Sequence, residues 1–482
     1  TPNPKPQTPN PKPQTPYYLC FESFIQMSFV SKNPYTKKLI QEIPFASKDS
    51  IRKTLAGLDA SYKNRRKAGG IDRSFLKGDL DTLAGNINAR KDKIAQVVTA
   101  ETGKPISGAL QEVAKAVGHI KYYSENLSEL TSAKVIPTDP SAKTGYYIDP
   151  LGIIFKVVPF NFPFWTPIKM MIPTLVAGNA VLVRPANSCP LTGLALQEVF
   201  RQSGFDNVDI VFSSPEDTDL IMGDPAVQGL SFTGSTKVGK IIAPMAAKHL
   251  KRTVLELGGN DAFIILADAD VDAAVSNAIK TRLNNNGQVC NAGKRFFVHK
   301  SIFNQFVEKL ETKVKAMKTG DPTDPKTELG TMARDDLTDT IWEQVSRSLK
   351  TGDKLLFGGV KPKDNFFNVT ALKVGNTDKS ILLHEELFGP VFTLIEFEDE
   401  EEAIRLANNT SYGLGAAVMT KDLSKAETLI RRLDAGAVFV NSPVGSHSKL
   451  PSGGIKESGY GRDCGTHGIE SFANIKAFSI RK

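Results

Sequence analysis

Past the first thirty positions, apolar residues recur at helical spacing over 50–62, 75–102 and 107–130, which predicts three amphipathic helices, the second closed by Gly103-Lys104-Pro105. Between Lys134 and Asp149 the pattern turns polar and β-like, with Pro137, Pro140 and Gly145 as breakers. A two-stranded ribbon is marginal in water, so this one needs a partner, and Ile475 to Ile480 is the candidate third strand. The densest alternation follows. Strands are expected over 152–158, 180–184, 208–212, 228–232 and 253–257, interleaved with helices over 166–176, 192–203 and 237–249. A second series places strands at 262–266, 296–298, 391–396, 415–419 and 437–440, with helices at 271–283, 302–317, 401–408 and 423–433. Strands alternating with helices at this spacing build parallel sheets covered on both faces, so the fold class is α/β with two Rossmann-like parallel-sheet domains and a small β-ribbon. Such sheets bind ligands at the carboxyl ends of their strands.

Composition narrows the class. With 482 residues, two large domains are expected. No apolar run reaches the roughly 20 residues that span a bilayer, so no membrane insertion is expected. The net charge of +8 comes from basic residues scattered among acidic ones, without a basic block interleaved with aromatics, so no nucleic-acid partner is expected. Cys20, Cys189, Cys290 and Cys464 form no CxxC pair and the histidines no metal-binding spacing, so a reducing compartment, cytoplasm or mitochondrial matrix, and no metal are expected. Residues 1–30 read as a mobile tail, proline-rich because of its repeated Thr-Pro-Asn-Pro-Lys-Pro-Gln. The chain opens on Thr1, which leaves room for a preceding targeting segment.

Four loops carry candidate chemistry. Asn284-Asn285-Asn286-Gly287-Gln288-Val289-Cys290 sets one cysteine in a polar, glycine-containing loop, as a thiol that meets a substrate requires, although an ordinary loop cysteine has the same surroundings. Phe232-Thr233-Gly234-Ser235-Thr236-Lys237-Val238-Gly239-Lys240 joins a strand to a helix, where an anion is favoured. It imitates a phosphate loop but has Ile241 where magnesium needs Ser or Thr, so a plain turn stays open. Glu256 ends a strand amid apolar residues, where burial would raise its pKa toward that of a general base; the alternative is a strand-end carboxylate facing water. Asn161 sits in Val158-Pro159-Phe160-Asn161-Phe162-Pro163, where its amide can donate to an oxyanion or cap the next helix.

Together with Glu385-Glu386-Leu387-Phe388-Gly389-Pro390 and Gly453-Gly454-Ile455-Lys456-Glu457-Ser458-Gly459, these loops resemble, in order, the signature segments of the NAD(P)-dependent aldehyde dehydrogenases. The resemblance runs from about Ser31 to the C-terminus. It implies that Cys290 attacks the aldehyde carbon, that Asn161 and the Cys290 N–H hold the oxyanion, and that Glu256 activates the hydrolytic water. It places Glu386 on the nicotinamide ribose, Phe388 and Phe160 beside the cofactor, and Thr233, Gly234, Ser235 and Gly239 near the pyrophosphate. It implies a cofactor-binding domain over 31–133 and 151–255, a catalytic domain over 256–449, and a ribbon at 134–150 and 470–482 serving a homodimer or homotetramer.

Departures from the family pattern bear on specificity. Arg184-Pro185-Ala186-Asn187 stands where the family has Lys-Pro-Ala-Glu. Without that carboxylate, and with Arg184 available to a 2′-phosphate, either NAD or NADP is admissible. Ser452 replaces a Phe near the substrate funnel and Met170 a Lys, neither expected to touch the chemistry of Cys290, Asn161 and Glu256. The segments around Asp261, Arg282 and Leu450-Pro451 are most similar to the succinate-semialdehyde dehydrogenase branch, in which Lys169 and Arg282 are candidate substrate contacts; Lys169 is equally readable as a surface residue. Lys294 occupies the place of a second, redox-lock cysteine, so no lock is expected. The rivals are an aldehyde dehydrogenase of broad aliphatic specificity, an acylating or phosphorylating relative and a protein that reuses the fold with idle catalytic groups.

Overall fold

The structure is a computed structural model that describes residues 28–66 and 76–481. The expected tail lies outside these residues except at 28–30, which are strand: Ser28–Lys32 pairs antiparallel with Leu39–Pro44. The turn between them is built by Asn33, whose side-chain oxygen accepts from Tyr35 N and Thr36 N, both at 2.9 Å.

Two parallel-dominated sheets form the body. The first has six strands in the order Gly459–Tyr460, Arg252–Glu256, Val227–Thr233, Ile153–Val157, Ala180–Arg184, Val208–Ile210. The second has seven, in the order Lys354–Phe357, Thr370–Lys373, Val391–Phe397, Gly293–His299, Asp261–Ile265, Gly415–Met419, Ala437–Val440. Their central strands are apolar on both faces, as Ile153, Ile154 and Phe155 illustrate, because helices cover both sides. A third, antiparallel sheet pairs Ala473–Arg481 with Ala142–Pro150, and that strand with Lys134–Val135. The ribbon thus gains the C-terminal partner its marginal stability demanded.

The structure divides two of the expected helices: that over 107–130 is Ile106–Glu125 followed by Leu127–Thr131, broken at Asn126. The helix expected over 75–102 is two, Leu76–Ala89 and Lys91–Thr102, broken at Arg90. The break lets both apolar faces, Leu80, Leu83 and Ile87 on one and Ile94, Ala95 and Val98 on the other, pack on the Ile106–Glu125 helix. The stretch between 318 and 390, to which the sequence reading assigns no element, holds the Asp335–Lys350 helix, with Leu337, Ile341, Val345 and Leu349 at helical spacing, and an antiparallel strand pair at the sheet edge.

Strand register positions the site. Val157 pairs with Phe232 and with Arg184, and Thr233 pairs with Glu256, so Asn161, Thr233, Glu256 and Arg184 all lie at the carboxyl edge of the six-stranded sheet. From Glu256 only Leu257-Gly258-Gly259-Asn260 separates this edge from Asp261, the first residue of a central strand of the other sheet, which pairs with Gly293. Cys290 precedes that partner strand. The carboxyl edge of one sheet therefore faces the amino edge of the other, and the cleft between them collects the candidate residues.

Candidate active site

The loop that carries Cys290 is shaped by its run of asparagines. Asn285 and Asn286 hold φ of 49° and 56°, and Gly287 follows at 80°. Asparagine tolerates left-handed backbone better than most residues, and at Gly287 a Cβ would also meet the Gly389 carbonyl carbon at 2.3 Å. The side chains then pin the loop. Asn286 donates to Thr331 O at 2.7 Å and accepts from Gly330 N at 2.8 Å, while Gln288 accepts from Ala333 N at 3.0 Å. Asn285 donates at 2.8 Å to the carbonyl of Asn161.

Asn161 is itself buried, and its side-chain amide donates to Gln288 O at 2.9 Å. That bond uses one of its two N–H groups and leaves the other for a ligand. Its carbonyl also receives Lys104 Nζ at 2.7 Å, from a fully buried ammonium paired with Glu112. Glu112 accepts from the backbone N–H groups of Phe164 and Trp165, both at 2.9 Å, and so holds the next turn of chain. Asn161 does not cap the following helix, whose first turn Glu112 satisfies instead.

Glu256 differs from its expected apolar setting. Its Oε2 receives Lys169 Nζ at 2.5 Å, and its Oε1 accepts from Ser452 Oγ at 3.2 Å. Lys169 is buried rather than exposed on its helix, with Asp463 at 3.3 Å as a second counter-charge. Burial opposes the charge on Lys169, but Glu256 and then Asp463 more than offset it and hold the ammonium well above its ordinary value. Ser452, expected to stand apart from the chemistry, hydrogen-bonds the carboxylate directly.

Cys290 is half-buried at the wall of a cavity of about 740 Å³, which Asn161, Thr233, Glu256 and Lys169 also line. Burial pushes its thiol up to about 11, and the charge of Glu256 adds to the rise; Lys294 and Lys169 oppose it. The resting thiol is therefore protonated near neutral pH and needs a base. Lys294 lies buried beneath it, donating to Val289 O at 3.0 Å and to the Cys290 carbonyl, with Glu386 Oε1 at 3.2 Å. Glu386 also accepts from Gly259 N at 3.1 Å. A Cβ at Gly258 would sit 2.4 Å from Glu386 Oε2, so only glycine leaves that carboxylate its place.

On the side of Cys290 that carries Glu386, Phe160 and Phe388 stand edge to face, 6.2 Å between centroids. Ser235 caps the Thr236–Lys248 helix by accepting from Val238 N, and the helix start is open, with Val238 and Ile241 exposed. Gly239 lets that helix close on the strand end: a Cβ there would meet Leu257 Cδ2 at 2.6 Å. Arg184 departs from expectation. Its guanidinium donates to Ser213 O at 3.0 Å, Pro185 O at 3.3 Å and Asn187 Oδ1 at 2.7 Å, and stacks over Phe29, so it is spent on the strand end rather than offered to a phosphate. Arg282 departs too. It is fully buried outside the cavity, donating to Val391 O at 2.7 Å and Leu387 O at 2.5 Å and to the Gly389 carbonyl, which fixes the loop that carries Glu386. No cluster of metal-ligating side chains occurs among the described residues, and no helix among them is long and apolar enough to cross a membrane.

This geometry meets a matching pattern in known proteins, since residues 23–478 fit the model of the aldehyde dehydrogenase family. The chain belongs to that family. It is an NAD(P)-dependent aldehyde dehydrogenase by membership. It is 35% identical over 461 residues to a succinate-semialdehyde dehydrogenase [NADP(+)] of Deinococcus radiodurans, covering 94% of this chain and 96% of the relative. A succinate-semialdehyde dehydrogenase [NADP(+)] 1 of Mycobacterium tuberculosis is 34% identical, covering 94% and 100%. The crystal structure of succinic semialdehyde dehydrogenase from Streptococcus pyogenes in complex with NADP+ superposes with a TM-score of 0.91 at 31% identity, over 94% of this chain and all of that one.

For this aldehyde dehydrogenase, sequence reasoning passed over several residues that shape the site. Lys104 reads as part of a helix stop, Asn285 as one of three loop asparagines, and Asp463 as a residue after a glycine-rich turn. Their roles depend on partners 57, 124 and more than 290 positions away, so nothing local marks them. The one available signal was the rarity of unpaired buried charge, which makes any lysine in an apolar helix such as Lys169 a candidate partner for a buried acid.

Proposed function

We propose that this enzyme oxidises succinate semialdehyde to the carboxylate with NADP, through a thioester on Cys290. The single observation that carries the chemistry is the shared cavity: Cys290, Asn161 and Glu256 line one wall system while Glu386 lies behind the cysteine loop. Cys290 releases its proton to solvent water through the open cavity, and its sulfur bonds to the aldehyde carbon as the C=O π pair moves onto oxygen, giving an alkoxide held by the Asn161 amide and the Cys290 N–H. A nicotinamide cofactor, when bound, supplies the hydride acceptor that turns this adduct into a thioester. Glu256 then takes a proton from water, the hydroxide adds to the thioester carbon, the C–S bond breaks and the carboxylate leaves. Lys169 steers the Glu256 carboxylate, and Lys104 with Asn285 steers Asn161.

Residues that fit a dinucleotide are present. Glu386, kept in place by the bare Gly258, suits ribose hydroxyls; the open helix start beside Gly234, Ser235 and Gly239 suits a pyrophosphate, with Thr233 at the strand end and Phe160 and Phe388 as an apolar wall. NADP is favoured by the amide at Asn187, which spares a 2′-phosphate the repulsion of a carboxylate, and by the NADP-using relatives. Succinate semialdehyde is favoured by those same relatives. Exposed apolar residues on the ribbon, Val135, Ile136, Tyr147, Ile475 and Ile480, favour a homodimer or homotetramer formed through it. The test is a steady-state panel of succinate semialdehyde, glutarate semialdehyde and uncharged aldehydes of equal length, each with NAD and NADP and with and without coenzyme A. The expected result is the highest kcat/KM for succinate semialdehyde with NADP and a product that stays the free acid when coenzyme A is added. Equal kcat/KM for charged and uncharged aldehydes overturns the substrate, and an acyl-coenzyme A product overturns the role of water.

A further inference from the structure

An anionic semialdehyde brings a second carboxylate into the cavity, and a buried carboxylate without a counter-charge is strongly disfavoured. Neither expected cation is at liberty to meet it. Lys169 already serves two carboxylates, Glu256 and Asp463, and Arg282 is bound to backbone carbonyls outside the cavity. Among the described residues, the other lysines that line the cavity are Lys115 and Lys280.

Their situations differ. Lys115 projects from the Ile106–Glu125 helix just off its buried stripe of Glu112, Val113, Ala116 and His119. Its ammonium crosses the cavity to reach Ser446 Oγ at 3.0 Å and lies 4.6 Å from the centre of the Trp165 ring, which also lines the cavity. It is thereby held in place by a hydroxyl and an aromatic face, neither of which neutralises it, and among the described residues it forms no ion pair. Desolvation, and after it the charge of Lys169, lower the ammonium to about 8, so an incoming carboxylate would restore as well as meet its charge. Both lysines are exposed, but Lys280, near the end of the Val271–Leu283 helix, has no such hydroxyl or aromatic contact among the described residues.

Building on the succinate-semialdehyde reading, we propose that Lys115, with Ser446, receives the distal carboxylate of the substrate and sets the preference for charged semialdehydes. Ser446 Oγ, now an acceptor for the ammonium, can turn its own O–H toward the same carboxylate, so the pair offers two donors side by side. Trp165 shields one face of the ammonium from water and strengthens the attraction.

The test compares wild type with K115Q, K115R and K280Q, using succinate semialdehyde and butanal at saturating NADP. Wild type should prefer the semialdehyde. K115Q should lose roughly ten- to a hundredfold of kcat/KM for it, mainly through KM, while butanal changes less than about twofold. K115R should recover most of the loss, and K280Q should match wild type. Selectivity retained in K115Q, equal losses on both substrates, or a selective loss in K280Q would overturn this assignment alone. A wild type without preference for the semialdehyde would instead overturn the substrate reading, and this inference with it.

Discussion

Lys169 Nζ lies 2.5 Å from Glu256 Oε2, so the residue assigned to activate water is one half of a buried ion pair. The ammonium supplies the counter-charge that a carboxylate buried at this depth requires. The pair also fixes where the carboxylate points, because its second oxygen is held by Ser452.

Removing one partner of such a pair leaves an uncompensated charge. K169M should therefore lower stability by about 3–5 kcal/mol. It should also slow thioester hydrolysis more than hydride transfer, seen as a burst of reduced cofactor that wild type lacks. A variant with unchanged unfolding midpoint and unchanged kcat would show that the pair contributes nothing.

The raised thiol gives a pH dependence. A thiol at about 11 is almost wholly protonated at pH 8, so alkylation of Cys290 by iodoacetamide in the cofactor-free enzyme should keep climbing with pH beyond 9 without levelling off. Glu256 raises this value, so E256Q should move the profile to lower pH. Lys294 lowers it, so K294M should move it to higher pH. A plateau near neutral pH in the native enzyme would contradict the electrostatics of the site.

Cofactor choice is predicted to turn on Asn187. N187E should reduce the ratio of kcat/KM with NADP to that with NAD at least about tenfold, since a carboxylate there repels a 2′-phosphate. R184Q should change that ratio little, because the Arg184 guanidinium is committed to Ser213, Pro185 and Asn187. The reverse ordering of the two variants would return the phosphate to Arg184.

The ribbon makes a prediction of assembly. Charges placed on its exposed apolar residues, one on each face of the strand, as in I475E with I480E, should shift sedimentation toward the single chain while leaving the far-ultraviolet spectrum intact. A double variant that sediments as wild type does would move the interface elsewhere.

The apolar pattern served the fold best in the strands of the parallel sheets and the helices that alternate with them. The strands Ala180–Arg184, Gly415–Met419 and Ala437–Val440 and the helix Val271–Leu283 follow the apolar pattern to the residue. It gave no warning of Arg90, where the break depends on two helices sharing a third; in the 318–390 region the strands are only four residues long, Lys354–Phe357 at the sheet edge and Thr370–Lys373 beside it, too short to show a period. In the site, residue types and motif order pointed to Cys290, Asn161 and Glu256, because that chemistry has few substitutes. The pairings did not follow from sequence. Lys169 looked like a free cation until Glu256 and Asp463 were beside it, and Arg184 and Arg282 looked like anion ligands until backbone carbonyls were found to hold them. Long side chains with several donors find their partners through tertiary geometry, and spacing along the chain carries no trace of it.

The central claim is that Cys290 carries the acyl group and Glu256 releases it. The direct measurement is intact and peptide mass spectrometry of E256Q after brief mixing with NADP and succinate semialdehyde. One succinyl group is expected on the peptide containing Cys290, formed together with about one equivalent of NADPH per active site. Full turnover without an adduct, or an adduct on the Cys189 or Cys464 peptide instead, would contradict it.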